Sequence, residues 1–161
     1  MKTEEQLIEC DAKADCAIKV MMAAVAAAAI IPAHVNWAAT AAAMGVGCAA
    51  IGKAYGFNLS KGEGWMLAKQ FLIGAGTYFL AMNVGVKIFA ALAETVGFGY
   101  VIGAAIDAAF CSAAAWAIGG CARSYFRNMA QGNQQLPSEY KRQFQEMYAA
   151  FRRGEVDLGG K

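Results

Sequence analysis

The stretch TVGFGYVIGAAIDAAFCSAAAWAIGGCA, residues 95–122, is 28 residues long and carries one charge, Asp107. As one helix it would extend about 42 Å at about 1.5 Å per residue. At a four-residue step, Gly99, Gly103, Asp107, Cys111, Ala115 and Gly119 fall on one ridge, and all but the acid are small. Ile102, Ile106 and Phe110 form the bulky ridge beside it. A ridge of small residues lets a second backbone approach closely, which is how helices associate in lipid. Working outward from this stretch gives an all-α chain, a bundle of Ala/Gly-rich helical hairpins with a C-terminal amphipathic helix.

Composition supports that reading. Of the 161 residues, 58% are apolar and 16% charged, against about 45–50% and about 25% in soluble domains. Such a chain embeds in a membrane or buries its surface by oligomerising. The net charge of +2 and the lack of basic residues interleaved with aromatics argue against nucleic acid. The five cysteines, Cys10, Cys16, Cys48, Cys111 and Cys121, show no C-x-x-C spacing. They read as reduced thiols, and neither a disulfide framework nor a metal site is expected. The acidic N-terminus, MKTEEQLIECDAKAD, is unlike a cleavable secretory signal.

In chain order, Thr3 and Gln6 form a capping-box pattern that starts a helix running to Ile31, where Pro32 stops it. From Val20 to Gly52 there are 33 residues without Asp, Glu, Lys or Arg. Ala33 to Gly52 is just long enough to cross a bilayer, although alanine drives insertion weakly. A hairpin dipping into the membrane fits as well as two spans. Tyr55-Gly56-Phe57-Asn58 is a helix exit with Gly56 at the left-handed position. Ser60 and Glu63 are a second capping box, and a third helix follows through Trp65 and Phe71, with Gly74-Ala75-Gly76 as a thin waist and a charge-free part from Phe71 to Val86 that is short for a span. Lys87 and Glu94 bracket a short amphipathic piece, and Gly97-Phe98-Gly99 is a break before the central helix. Residues 1–130 form the apolar, membrane-associated bundle, and 131–161 a linker, an amphipathic helix and a tail.

Past Ala122 the character changes. Arg123, Tyr125, Phe126 and Arg127 read as an interfacial belt of aromatic and basic residues. Trp37, Trp65 and Trp116 mark membrane interfaces or fill gaps between alanine faces. Tyr140, Phe144, Met147, Tyr148 and Phe151 fall at i, i+4, i+7, i+8 and i+11, a clean apolar stripe flanked by Lys141, Arg142, Arg152 and Arg153. The stripe docks on the chain's own bundle, on a sister subunit or on a membrane surface. Arg123 onward holds seven Lys/Arg, against three between Lys53 and Lys69. If the apolar segments span, this bias places the C-terminus in the cytoplasm.

Several of these features together resemble a known family. An apolar helix ends in Ile31-Pro32, and the next ends in the Lys-x-Tyr-Gly-x-x-Leu-Ser pattern of Lys53, Tyr55, Gly56, Leu59 and Ser60. A Gly-x-Gly-x-x-x-Gly turn (Gly97, Gly99, Gly103) leads into an Ala-rich helix closing with Ala117, Gly119, Arg123, Tyr125 and Phe126. Over about Ala17 to Arg127 this resembles the bacterial domain of unknown function 697, found alone or attached to Era-like small GTPases. The resemblance implies a membrane-associated helical domain of the bacterial inner membrane, beside a GTPase partner. This chain has no G-x-x-x-x-G-K-[ST] loop, so nucleotide chemistry would belong to that partner.

Asp107 is the sharpest candidate residue, because a carboxylate in an apolar helix is paired, protonated or functional. His34, Lys87 and Lys19 are its candidate partners. Its bland role is to hydrogen-bond a neighbouring helix or sit at an oligomer seam, and its functional one is transport or gating. His34 is the single histidine, suited to capping or an interface rather than a relay or metal. Gly99 and Gly103 are a helix-packing signal. With one histidine and no paired carboxylates, neither catalytic residues nor cofactor ligands stand out, and an enzyme is not expected. Three readings follow: a membrane-associated scaffold that self-associates and anchors a partner, a pore lined by Asp107, and a soluble homo-oligomer with its apolar helices buried in interfaces.

Overall fold

The computed structural model describes residues 2–28, 36–74 and 99–155, and among these all regular structure is helical. Among the described residues five α-helices make an all-α bundle: α1 (Glu4–Ala28), α2 (Asn36–Ala54), α3 (Lys61–Gly74), α4 (Gly99–Ala130) and α5 (Lys141–Arg152). A 3-10 turn, Pro137–Tyr140, leads into α5.

Local chemistry sets the helix ends. The Thr3 N–H donates to Gln6 Oε1 at 3.0 Å and the Gln6 N–H to Thr3 Oγ1 at 3.4 Å, so the box closes and α1 starts. At α3 the Ser60 N–H donates to Glu63 Oε2 at 2.8 Å and the Glu63 N–H to Ser60 Oγ at 3.2 Å. Each box satisfies amides that a helix start leaves without partners. The α2 end is a Schellman turn on Gly56, which takes φ +93°. There the Phe57 N–H donates to the Gly52 carbonyl at 2.9 Å and the Gly56 N–H to that of Lys53 at 3.0 Å. A side chain at Gly56 would meet no neighbour, so the left-handed backbone, not crowding, favours glycine there.

Small residues set the packing. α1 runs antiparallel to both α2 and α4. A Cβ on Gly119 would lie 2.7 Å from Ile18 Cγ1, and one on Gly47 would press into the Met21 side chain. α3 crosses α2 where Gly45 meets Gly64, with room for backbone alone. On α4, Ala113, Ala114, Ala115, Ala117 and Ala122 are buried. The gaps between these thin faces are filled by Leu7, Ile18, Met21, Ile51, Tyr55, Phe71, Ile118 and Phe126, all buried. α5 returns along α4 and joins the same core through Phe144 and Tyr148. The boundary at Ala130 therefore separates two stretches of sequence but not two hydrophobic cores.

The central helix continues eight residues past Ala122, to Ala130. The reason lies in the residues read as an interfacial belt. Phe126 is buried in the core, its ring 5.5 Å from that of Phe57. Arg123 and Arg127 turn to acids on α1. Trp65 and Trp116 pack partly buried against the core, the gap-filling alternative, and the side chain of Trp37 lies outside the described residues. Among the described residues, α4 over 104–130 is the one helix long and apolar enough to cross a membrane.

Candidate functional site

The small-residue ridge of α4 is put to use inside the chain. Cys111, Ala115 and Gly119 are buried, with Gly119 seated under Ile18 and Met21 of α1. The surroundings of Gly99 and Gly103 lie outside the described residues. Gly119 thus serves α1–α4 packing, the same close approach that the sequence assigned to a helix partner.

Asp107 sits on this ridge at 1% exposure. The Cys111 thiol, one turn on, donates to its Oδ1 at 3.5 Å. Lys19 is solvent-exposed on α1. His34 and Lys87 lie outside the described residues. The carboxylate is enclosed within the bundle rather than presented on an open path.

A charged cluster occupies the end of the bundle where α1 begins and α4 finishes. Arg127 pairs through one nitrogen with Asp11 and through the other with Glu4. The Tyr55 hydroxyl, brought by the end of α2, donates to the other oxygen of Asp11. Arg123 meets Asp15 at 2.5 Å one turn away. Burial, reinforced by the hydrogen bond to Asp11, raises the Tyr55 pKa far above the usual phenol range, so this hydroxyl stays a donor. The Lys2 N–H donates to the Ala130 carbonyl at 3.3 Å and closes the same end. Among the described residues, every ion pair between different helices lies here, joining α1 to α4.

The C-terminal stripe docks on the chain's own bundle. Tyr140, Phe144 and Tyr148 are buried, and Met147 and Phe151 are half-buried against the core. The Tyr148 ring meets Phe110 edge-on at 5.7 Å, and Phe151 lies 6.5 Å from Trp116. Met147 fills the space left by Gly120. Gln143 Nε2 donates to Ser124 Oγ at 2.8 Å and to the Gly120 carbonyl at 3.3 Å. The outer face of α5 is charged, with Arg142 and Glu146 at its surface.

The sequence did not single out the groove between α1 and α2, about 720 Å³ in volume. Val20 and Val46 stand exposed on it, at 64% and 45%. Its walls are alanine, valine and methionine, with Cys16 on α1, and its two charged lining residues are Lys13 and Lys53. The pairing of Met21 with Gly47 fixes the antiparallel register. Lys13, before Met21, and Lys53, after Gly47, therefore share the end nearest the ion-pair cluster. The available signal was the charge-free run from Val20 to Gly52, which reads equally as a membrane segment.

All five cysteines are free thiols, and Cys16 alone is exposed. Among the described residues no group of three His, Cys, Asp or Glu is placed to hold a metal ion. No family model, curated protein or solved structure matches the chain.

Proposed function

We propose that this protein is a non-enzymatic, membrane-associated scaffold. Its apolar end enters a bilayer, and its charged end faces the aqueous side to anchor a partner. The observation that carries the reading is the lengthwise division of α1, α2 and α4; α5, charged on its outer face, lies along α4 outside that division. From Val20 to Ala28 on α1, Asn36 to Gly52 on α2 and Gly99 to Ala122 on α4 there is one charge, Asp107. The inter-helix ion pairs gather at the opposite end. A soluble bundle has no need of such a gradient, whereas a bilayer rewards it.

The gradient also bears on topology. Lys53 at the end of α2 and Arg123 and Arg127 at the end of α4 share the charged end. The excess of Lys/Arg there favours the cytoplasmic face of the bacterial inner membrane for that end. A GTPase partner rests on the family resemblance alone. Self-association rests on the apolar composition, since Gly119 of the small-residue ridge is taken up by α1. The enclosure of Asp107 favours a structural role over a pore-lining one.

The test is flotation with phosphatidylcholine vesicles, then carbonate extraction. The scaffold reading expects the protein to float and to stay in the pellet, with Asp107→Asn leaving ion flux unchanged. A discrete, detergent-free particle that neither floats nor pellets overturns it in favour of a homo-oligomer. A flux altered by Asp107→Asn overturns it in favour of a pore.

A further inference from the structure

The α1–α2 groove joins a long apolar wall to a basic end, and that combination selects a ligand. From Lys13 to Ala24 the α1 wall covers 12 residues, about 17 Å of helix. Opposite it, Ala42, Val46 and Ala50 give a smooth wall without branched polar groups. No acid lines the groove, and both of its charges are lysine ammoniums at one end. Lys13 is shared with Glu9 at 2.7 Å, an exposed pair at one-turn spacing that solvent screens, so the ammonium is free to turn towards an anion. Lys53 is exposed at the last turn of α2. A single extended acyl chain fits the walls, and one negative head group fits the end.

We propose that this groove binds a long-chain fatty acid, with the chain against Val20 and Val46 and the carboxylate between Lys13 and Lys53. The proposal deepens the membrane reading and rests on it, because the head group lies at the charged end and the chain runs towards the apolar end, as in one leaflet. Burial of the chain supplies the affinity, and the ammoniums discriminate against neutral amphiphiles of equal length.

Cys16 supplies the readout. It lies on the groove wall and is exposed, while Cys10, Cys48, Cys111 and Cys121 are buried. The rate of maleimide attachment at Cys16 is followed by mass, with Cys16→Ser as the blank. The protein is held in phosphatidylcholine vesicles, or free in buffer if flotation fails, so that the two readings fail separately. At palmitate about ten times above its Kd, labelling should slow roughly tenfold, with hexadecanol far less effective. Lys53→Glu should remove the difference between the two. Val46→Glu, which sets a like charge on the exposed groove wall, should abolish protection by palmitate.

Equal protection by palmitate and hexadecanol in the unaltered protein overturns the proposal, as does no protection by either. Protection that persists in Val46→Glu places the ligand elsewhere and also overturns it. Labelling that is slow without lipid and speeds up on dilution shows that a second copy fills the groove, which overturns the proposal as well.

Discussion

Gly45 and Gly64 meet where α2 crosses α3, and neither has room for a methyl group. A Cβ on Gly45 would stand 2.8 Å from the Lys61 carbonyl oxygen, and one on Gly64 would run into the Gly45 carbonyl. Both obstacles are backbone, which cannot swing aside as a side chain can. Gly64→Ala should therefore destabilise the protein by about 1–3 kcal/mol through overpacking. Gly62, two residues away, has only the Ser60 hydroxyl near, at 3.9 Å. Gly62→Ala should be neutral or stabilise by up to about 1 kcal/mol through helix propensity. Urea unfolding of the pair checks this, and equal midpoints would show that the crossing is not so close.

The two arginines of the charged end should differ. Arg127 holds two acids of α1, and one of them, Asp11, is only 20% exposed. Arg127→Ala should cost about 1–2 kcal/mol, most of it from leaving Asp11 poorly solvated with one partner fewer. Arg123 and Asp15 are exposed at 38% and 47%, so Arg123→Ala should cost no more than about 1 kcal/mol. Chemical denaturation of both variants at low and high salt separates the contributions, and only the Arg123 effect should fade strongly with salt.

Docking of α5 rests on its inner face. Phe144, 1% exposed, stacks on Tyr148 at 6.2 Å. Phe144→Ala should cost about 3–5 kcal/mol and weaken the near-ultraviolet circular dichroism of the aromatic cluster. Phe151 is only half-buried, and its replacement by alanine should cost about 1–2 kcal/mol. A Phe144→Ala variant with unchanged thermal stability would mean that α5 does not belong to the core.

The cap at the start of α3 should titrate. The Ser60 N–H and hydroxyl hold the Glu63 carboxyl below its ordinary value of 4.5. A group with a lowered folded pKa contributes stability above its unfolded pKa and loses it as pH falls through the folded value. The stability difference between the unaltered protein and Glu63→Ala should be full at about pH 6 and shrink below about pH 4.5. A difference that holds steady to about pH 3 would show that the ionised form is not what caps the helix.

What could be read from the sequence was local. Thr3 with Gln6 and Ser60 with Glu63 marked two helix starts, and Gly56 marked a helix end, because caps involve residues within one turn. The stripe from Tyr140 to Phe151 announced its buried face by period alone. Gly119 was legible as a place of close approach, but not as the seat of Ile18, since the partner of a ridge is not written in the ridge. Arg123 and Arg127 looked like a membrane-facing belt for the same reason. Their acids stand 108 and 116 residues earlier in the chain, beyond any local pattern. The groove escaped notice because Val20 and Val46 differ from buried valines only in what packs beside them.

The separation between Asp11 and Arg127 also sets an order of events during synthesis. The 116 residues that separate them take roughly 6–23 seconds to translate at about 5–20 residues per second. Once Ala54 has been made, and until Gly99 is, α1 has α2 but not α4. Ile18 and Met21 lack the seat at Gly119, and Asp11 lacks its arginine. A nascent α1–α2 hairpin, apolar along one edge and acidic at its open end, thus leaves the ribosome ahead of α4. Whatever shields that edge in the cell, bilayer or chaperone, meets the protein before its central helix exists.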